Sequence, residues 1–214
     1  MVKIIVPNQV EFYCLNRKCT ELDCSCRPLL EILYCSHMNQ LIELDLSQCP
    51  ELQILYCYGD RLTKLDLSNC PKLQILYCDN NQLTELDLSH CPKLEELFCG
   101  NNKLTELDLS HCPKLKELYC GNNQLTELNL SHCPNLKELD CQNNQLTELY
   151  LSYCLELQIL FCGNNQLEDL NILNNDKITE YDWTNNPIDC KETNTIEKMR
   201  EYYRNNYTSC YILK

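Results

Sequence analysis

The segment LTELDLSHCPKLEELFCGNNK, residues 83–103, decides the fold, because nearly the same 21 residues recur on both sides of it. Copies begin at Leu41, Leu62, Leu83, Leu104, Leu125 and Leu146. A fixed spacing of this kind is typical of units that stack in one dimension, each contacting only its neighbours. We therefore predict a solenoid in which each copy forms one coil.

Each copy has two stretches in which apolar and polar residues alternate. In residues 83–103 the predicted inward set is Leu83, Leu86, Leu88, Cys91, Leu94, Leu97, Cys99 and Asn102. The L-x-L and L-x-C patterns have a period of two, which is typical of strands. We expect a short strand in each half of the coil, so that two parallel sheets line opposite sides of a flattened tube.

The unit resembles a leucine-rich repeat, because the L-x-x-L-x-L-x-x-N-x-L segment of that family recurs with Cys at the third apolar site. Leu94, Leu97, Cys99, Asn102 and Leu104 match it in one coil. The resemblance implies a leucine-rich repeat solenoid that is mostly β. It further implies parallel short strands on both sides of a right-handed coil and a short capping helix at the C-terminus.

We divide the chain into three parts. Residues 1–18 form an N-terminal cap and partial repeat, residues 19–188 hold about eight 21-residue coils, and residues 189–214 form a C-terminal cap with a short helix. Open sheet ends invite edge-to-edge association, so atypical ends are expected to act as caps.

Both predicted caps have a local sequence signal. Val2 to Val6 alternate weakly and predict an N-terminal edge strand. At the other end, Asn194 followed by Glu197 is typical of a helix N-cap and its N3 partner. Apolar residues then recur at helical spacing, which predicts a helix over residues 195–205. They are Ile196, Met199 and Tyr203.

Most of the 19 cysteines fall at two fixed positions of the repeat, such as Cys91 and Cys99. At these sites the resemblance implies a buried Leu or Asn, so a reduced thiol acting as a small apolar side chain is expected. Equivalent cysteines in adjacent coils would have parallel Cβ vectors, which is poor disulfide geometry. The apolar run Ile4 to Val6 is too short for a secretory signal. We therefore expect a cytoplasmic protein, or one that is intracellular in a host cell.

The resemblance also implies an asparagine ladder, in which inward Asn side chains bind backbone groups of their own and the neighbouring coil. Its members are Asn81, Asn102, Asn123, Asn144 and Asn165. Asp60 stands in this position one coil earlier, which leaves the start of the ladder open. The residues that precede the ladder, such as Asn80 and Asn101, suit a tight turn with left-handed geometry.

An outward aromatic residue lies between the Leu and Cys of nearly every coil. These candidate partner-binding residues are Tyr34, Tyr56, Tyr77, Phe98, Tyr119 and Phe161, with Asp140 interrupting them. The resemblance implies that this strand lies on the concave face, where such proteins bind partners. A continuous apolar surface marks an interaction site, whereas stacking between neighbouring strands also stabilises a sheet by roughly 0.2 to 1 kcal/mol per pair. The residues alone leave both roles open.

The opposite half of each coil is acidic. Glu43, Glu85, Glu106, Glu127 and Glu148 form one file, and Asp45, Asp66, Asp87 and Asp108 form another. A basic partner or a bound cation would relieve their repulsion, and repeat duplication with solvation explains them equally. His90, His111 and His132 share one position, but each is expected to point away from the neighbouring Cys, so we predict no metal site.

The overall charge limits the kinds of partner. A formal charge of −13 and a pI near 4.7 argue against nucleic acid and anionic membrane surfaces. No acid, base or nucleophile stands apart from the repeat, and four glycines leave no phosphate loop, so we predict neither enzyme activity nor a cofactor. We predict a non-enzymatic protein-protein interaction module that binds through the aromatic sheet. The alternative is a structural, self-associating repeat protein.

Overall fold

The computed structural model describes residues 2–6, 9–14, 18–188 and 195–207, and these form a solenoid of short parallel strands that ends in a helix. Numbered in chain order, the strands are β1 (Lys3–Ile5), β2 (Glu11–Tyr13), β3 (Glu21–Asp23), β4 (Ile32–Tyr34), β5 (Glu43–Asp45), β6 (Ile54–Tyr56), β7 (Ile75–Tyr77), β8 (Glu96–Phe98), β9 (Glu117–Tyr119), β10 (Glu138–Asp140), β11 (Ile159–Phe161) and β12 (Glu180–Asp182). Helix α1 spans Ile196–Tyr207. The predicted solenoid is confirmed.

One sheet of nine strands runs the length of the solenoid, in the order β2-β4-β6-β7-β8-β9-β10-β11-β12. All its pairs are parallel and in register, so that the central Leu76 of β7 lies beside Leu55 and Leu97. These leucines are fully buried because alternate residues of a strand face opposite sides. The inward Leu and Cys of successive coils thus make one continuous core.

A second sheet exists at the N-terminal end, where β1, β3 and β5 pair in parallel. The predicted edge strand is β1. In the described coils from Leu62 onward, however, the equivalent segments (residues 64–67, 85–88 and so on) form no strand. The prediction of strands on both sides therefore holds only for the first coils.

The reason for this difference lies in backbone hydrogen bonding. Period-two alternation reports which way side chains face, and Leu86 and Leu88 do face inward. Among the described residues, no backbone hydrogen bond joins these segments in successive coils from Leu62 onward. Coils held about 4.8 Å apart along the nine-stranded sheet are thus free to spread on the other side. This asymmetry favours curvature with the nine-stranded sheet on the inside.

The turn after each inward Cys uses a left-handed residue. Asn80, Asn101, Asn122, Asn143 and Asn164 have φ between 53° and 56°, which confirms the predicted geometry. Asn adopts this region more readily than most residues because its short side chain bonds locally. Gly59 takes the same place one coil earlier, with φ of 72°.

The described cysteines are free thiols, and all of them except Cys26 are buried. Cys190 and Cys210 lie outside the described residues. Burial raises the pKa of the core thiols, to about 12 for Cys91 and about 11 for Cys112. They remain protonated at neutral pH and pack as small apolar groups.

Helix α1 packs on the last coils and begins one residue later than predicted. Thr195 Oγ1 accepts a hydrogen bond from the Lys198 N–H at 3.4 Å, and the predicted cap Asn194 lies outside the described residues. The predicted apolar stripe is buried, and the Leu170 N–H donates to Tyr203 Oη at 2.8 Å. No helix in the described ranges has the length and apolarity that crossing a bilayer requires.

Candidate functional site

The outer face of the nine-stranded sheet carries two files of side chains. In β7 the central Leu76 is buried, whereas the residues on either side of it, Ile75 and Tyr77, are partly exposed. In-register pairing places equivalent residues of neighbouring strands side by side. One file therefore precedes the central Leu of each strand, and the other follows it.

The file after the central Leu is a row of stacked rings, which we call the ring file. It consists of Tyr13, Tyr34, Tyr56, Tyr77, Phe98 and Tyr119. From the N-terminal end, successive ring centroids lie 4.5, 4.7, 4.6, 4.1 and 4.2 Å apart. Five of the six predicted aromatic residues belong to it, and Asp140 separates the sixth, Phe161. Tyr13 was missed because its strand lies before the regular repeat.

The file before the central Leu changes character along the sheet. It begins with Ile32, Ile54 and Ile75 on β4, β6 and β7, and continues with Glu96, Glu117 and Glu138 on β8, β9 and β10. We call the outward residues of β4, β6 and β7 the apolar half of the face. The three glutamates and Asp140 form its acidic half. Sequence reasoning missed this file, although the alternation that turns Tyr77 outward does the same to Ile75.

Two tyrosine hydroxyls bond to these glutamates. Tyr77 Oη donates to Glu96 Oε2 at 3.1 Å, and Tyr119 Oη donates to a carboxylate oxygen of Glu138. Burial, followed by the adjacent carboxylate, raises the pKa of both tyrosines. The hydroxyls remain neutral donors, so the rings are held against the acidic half.

The three glutamates of the acidic half lack a cationic partner in the described part of the chain. Register places Glu117 between Glu96 and Glu138, and burial together with these two neighbours raises the pKa of Glu117. The nearby Lys116 ammonium is bound to Glu95 at 2.6 Å. Like charges one strand apart repel by roughly 1 kcal/mol even with water-like screening. The acidic half is therefore an uncompensated negative surface.

The structure places the predicted ladder asparagines inside the turn that follows each strand. Asn102 Nδ2 donates to the carbonyls of Cys78 and Cys99, both at 3.0 Å, and its Oδ1 accepts from the Leu83 N–H at 3.0 Å. Asn81, Asn123, Asn144 and Asn165 repeat this geometry. Each amide thus joins two coils. The ladder fixes the spacing of the strands and offers no exposed group to a ligand.

Asp60 breaks this arrangement. Its side chain is 8% exposed, and neither carboxylate oxygen has a hydrogen-bond partner. Burial raises the pKa of Asp60 to about 7, and the nearby N–H groups of Met38, Asn39 and Leu41 oppose this effect only in part. An ionised carboxylate cannot donate to backbone carbonyls as the amide of Asn81 does.

The opposite side of the coil has a structural use for its aspartates. Asp66, Asp87 and Asp108 each accept a hydrogen bond from the N–H of the Ser two residues on, at 2.8 to 2.9 Å. Bonds from that Ser lower the pKa of all three. The aspartates therefore close a turn in each coil, whereas the file that contains Glu85 and Glu106 is exposed.

The histidines of this side are exposed, and each bonds to the preceding serine. Ser89 Oγ lies 2.9 Å from His90 Nδ1, and the same contact is 3.0 Å at His111 and at His132. Within the described ranges, no group of three or more His, Cys, Asp or Glu side chains is arranged to hold a metal ion.

One coil departs from the pattern on this side. Tyr150, Tyr153 and Leu155 replace the usual polar and proline residues, and their exposures are 68%, 59% and 50%. Tyr150 and Tyr153 line a shallow depression of about 490 Å³. This second exposed apolar area also escaped sequence reasoning, because it belongs to one coil only.

Comparison with known proteins gives the following matches. A family model described as leucine-rich repeats in two copies matches residues 50–90, 71–111, 92–132 and 134–175. No curated protein sequence matches the chain significantly. Among solved structures, the functional domain of InlJ from Listeria monocytogenes, described as including a cysteine ladder, is 36% identical with a TM-score of 0.80. That match covers 84% of this chain and 40% of the other.

Two further structures are similar. YopM from Yersinia enterocolitica is 27% identical with a TM-score of 0.63, over 84% of this chain and 40% of that one. The internalin InlF from Listeria monocytogenes is 25% identical with a TM-score of 0.65, over 80% and 56%. The chain thus spans about half or less of the length of these proteins.

Proposed function

The chain belongs to the leucine-rich repeat family, and we propose that it is a non-enzymatic protein-protein interaction module that binds its partner on the outer face of the nine-stranded sheet. Proteins with this fold commonly bind other proteins. The observation that carries the proposal is the ring file with the isoleucines beside it, an exposed apolar surface on a rigid sheet. The proposed contact residues are Tyr34, Tyr56, Tyr77, Phe98, Tyr119 and Phe161.

Tyrosine and phenylalanine suit this role for two reasons. Each ring offers a large contact area at little cost in side-chain entropy. Stacking on the neighbouring rings, at centroid distances of 4.1 to 4.7 Å, also fixes their orientation before a partner arrives. Sheet stabilisation by stacking is compatible with this role, so the experiment has to separate the two.

The test replaces Tyr77, Phe98 and Tyr119 with Ser and measures recovery of partners from a native lysate by quantitative mass spectrometry. The matched control replaces Tyr150 and Tyr153, which lie off the face, with Ser. We expect recovery of the partner to fall at least tenfold (about 1.4 kcal/mol) with the face variant and to stay unchanged with the control.

Thermal unfolding of the same variants separates the two roles of the rings. Rings that only stabilise the sheet would lower the melting temperature and leave partner recovery unchanged. That outcome, in a variant that is still folded by circular dichroism, contradicts the proposal.

A non-enzymatic role fits the chemistry of the repeat. The only side-chain grouping that resembles a catalytic set, Ser89-His90-Cys91, places the Cys in the core with its pKa raised to about 12. Ser89 and His90 are exposed and have no third group positioned beside them in the described contacts. A thiol of this kind is not an activated nucleophile.

A second candidate function is self-association through the N-terminal end. Val2, Ile5 and Val10, on or beside the edge strands β1 and β2, are 39%, 66% and 46% exposed. Edge strands with exposed apolar side chains can pair with another chain. Multi-angle light scattering of the wild type and of Ile5→Lys tests this idea. A wild-type mass that stays at one chain as concentration rises contradicts it.

We also place the protein in the cytoplasm, because the buried cysteines are free thiols packed as core residues. Alkylation of the chain after denaturation, taken directly from the cells that make it, should modify all 19 cysteines. A shortfall of two or more would indicate disulfides and count against this location.

A further inference from the structure

The outer face of the sheet is divided along the solenoid axis, and the division is abrupt. Ile75 on β7 lies in register with Glu96 on β8, so the file changes from apolar to anionic between two adjacent strands. On the N-terminal side, Ile32, Ile54 and Ile75 are partly exposed beside tyrosine rings. On the C-terminal side, three carboxylates occupy the same positions.

The ring file passes through this boundary without interruption. Tyr77, Phe98 and Tyr119 continue the stack, with centroids 4.1 and 4.2 Å apart. The Tyr77 hydroxyl bonds to Glu96 directly across the boundary. The two halves are thus parts of one continuous surface that a single partner segment can follow.

The carboxylates of the acidic half are available to a partner. In the described part of the chain no ion pair reaches Glu96, Glu117 or Glu138, and Lys116 is already bound to Glu95. Burial and its two neighbours raise the pKa of Glu117, which shows that these charges act on one another. A cationic group placed over them would relieve that repulsion.

Taking the proposed function as its basis, we propose that the partner is a protein segment in which an apolar stretch adjoins a cluster of Lys or Arg. The apolar part covers the isoleucines and tyrosines of β4 to β7, and the basic part lies over Glu96, Glu117 and Glu138. Strands β4 to β10 span five strand spacings, about 24 Å, which corresponds to about seven extended residues. The recognition element is therefore a short linear segment.

The experiment selects peptides from a random library displayed on phage, using the immobilised full chain. Selected peptides are then synthesised, and their Kd values are measured by fluorescence anisotropy. We expect aliphatic or aromatic residues next to two or more Lys or Arg. Because basic residues face three unpaired carboxylates, binding should weaken markedly as salt rises from about 0.05 M to about 0.5 M.

Two matched variants test the position of the basic part. Glu96→Gln, Glu117→Gln and Glu138→Gln together remove the negative charge of this file and should raise Kd at least tenfold. Glu85→Gln, Glu106→Gln and Glu127→Gln remove the same charge from the exposed file of the same coils and should change Kd less than twofold. Equal effects of the two variants would mean that only net charge matters, which overturns the proposal.

The outcomes also separate this proposal from the proposed function. Peptides that are apolar but not enriched in Lys or Arg, and whose binding is lost in the Ile54→Ser and Tyr56→Ser variants, overturn the partner chemistry and leave the binding face intact. Basic peptides that need Glu96, Glu117 and Glu138 support the proposal. Failure to enrich any peptide that depends on this face overturns both.

Discussion

The coils before Leu62 and those from Leu62 onward share one sheet and one ring file, but they are joined in different ways. In the later coils each inward amide, such as Asn102, binds carbonyls of two successive coils. In the earlier coils Met38 and Asp60 occupy the equivalent positions, and the coils are joined instead by the second sheet, β1-β3-β5. The second sheet is therefore found where the asparagine ladder is absent.

The length of the coil follows the same division. Leu33 pairs with Leu55, 22 residues on, whereas Leu55 pairs with Leu76, and Leu76 with Leu97, 21 residues on. An inward amide that must reach carbonyls on both sides tolerates no change in turn length, because each hydrogen bond needs a distance near 3 Å. Strand pairing on a second side tolerates an extra residue. The comparison indicates that the ladder enforces the uniform repeat.

The largest predicted effect comes from giving a later coil the residue of the earlier one. Asn102→Asp replaces an amide that donates to the Cys78 and Cys99 carbonyls with a carboxylate that repels them. We expect a loss of about 4 kcal/mol in the free energy of unfolding at pH 8, measured by urea denaturation.

Asn129→Asp is the matched control for this variant. Asn129 Oδ1 accepts from the Ser131 N–H at 3.0 Å, in the turn where other coils have Asp. The same change of residue there should alter stability by less than about 0.5 kcal/mol. Equal losses at the two positions would refute a special role for the ladder.

The reverse exchange, Asp60→Asn, should stabilise the protein. An amide at this position extends the ladder by one coil and offers donors to the carbonyls of Cys35 and Cys57, as Asn81 does to Cys57 and Cys78. It also removes a buried carboxylate that has no hydrogen-bond partner. We expect a gain of about 3 kcal/mol at pH 8. Unchanged stability would mean that the earlier coils do not need a ladder.

The gain from Asp60→Asn should depend on pH. Burial raises the pKa of Asp60 from 3.8 to about 7 in the folded chain. The folded state therefore holds this proton more tightly than the unfolded state, so the wild type loses stability as pH rises from about 4 to about 7. The contribution is fully present below the unfolded pKa and is lost above the folded pKa.

Urea denaturation of both proteins at pH 5 and pH 8 measures this effect. Subtracting the variant cancels other titrating groups, including His37, Asp79 and the cysteines near Asp60. The stability gap should widen by about 2 kcal/mol between pH 5 and pH 8. A gap that stays constant would place the pKa of Asp60 near its ordinary value.

The sequence predicted the regular coils better than the irregular ones, for physical reasons. The period of Leu and Cys predicted the core and the ring file, because burial alone decides which residues alternate. Alternation carries no information on whether neighbouring backbones are close enough to bond, so the loss of the second sheet after Leu62 could not be predicted. The division into residues 1–18, 19–188 and 189–214 stays a prediction.

The candidate site was predicted in part. Residues that repeat in every coil, such as Tyr77 and Phe98, stand out in the sequence. The isoleucine file was visible in principle, since Ile75 alternates with Leu76 as Tyr77 does. The contacts that divide the face, such as the bond of Tyr77 to Glu96, join side chains 19 residues apart and require the register of the strands.

The smallest predicted effect concerns the turn residue that differs between the two kinds of coil. Gly59→Asn would give an earlier coil the residue that Asn80 supplies later, with φ of 72° against 56°. Although Asn tolerates this backbone, its Cβ would lie 2.7 Å from His37 Nδ1. The His37 ring, now packed edge-on against Tyr58 at 4.7 Å, would have to move. We expect a loss of about 1 kcal/mol, and little or none when His37 is also replaced by Ala. An equal loss in both backgrounds would assign the glycine to backbone strain, and the two kinds of coil would then differ in turn geometry as well as in the ladder.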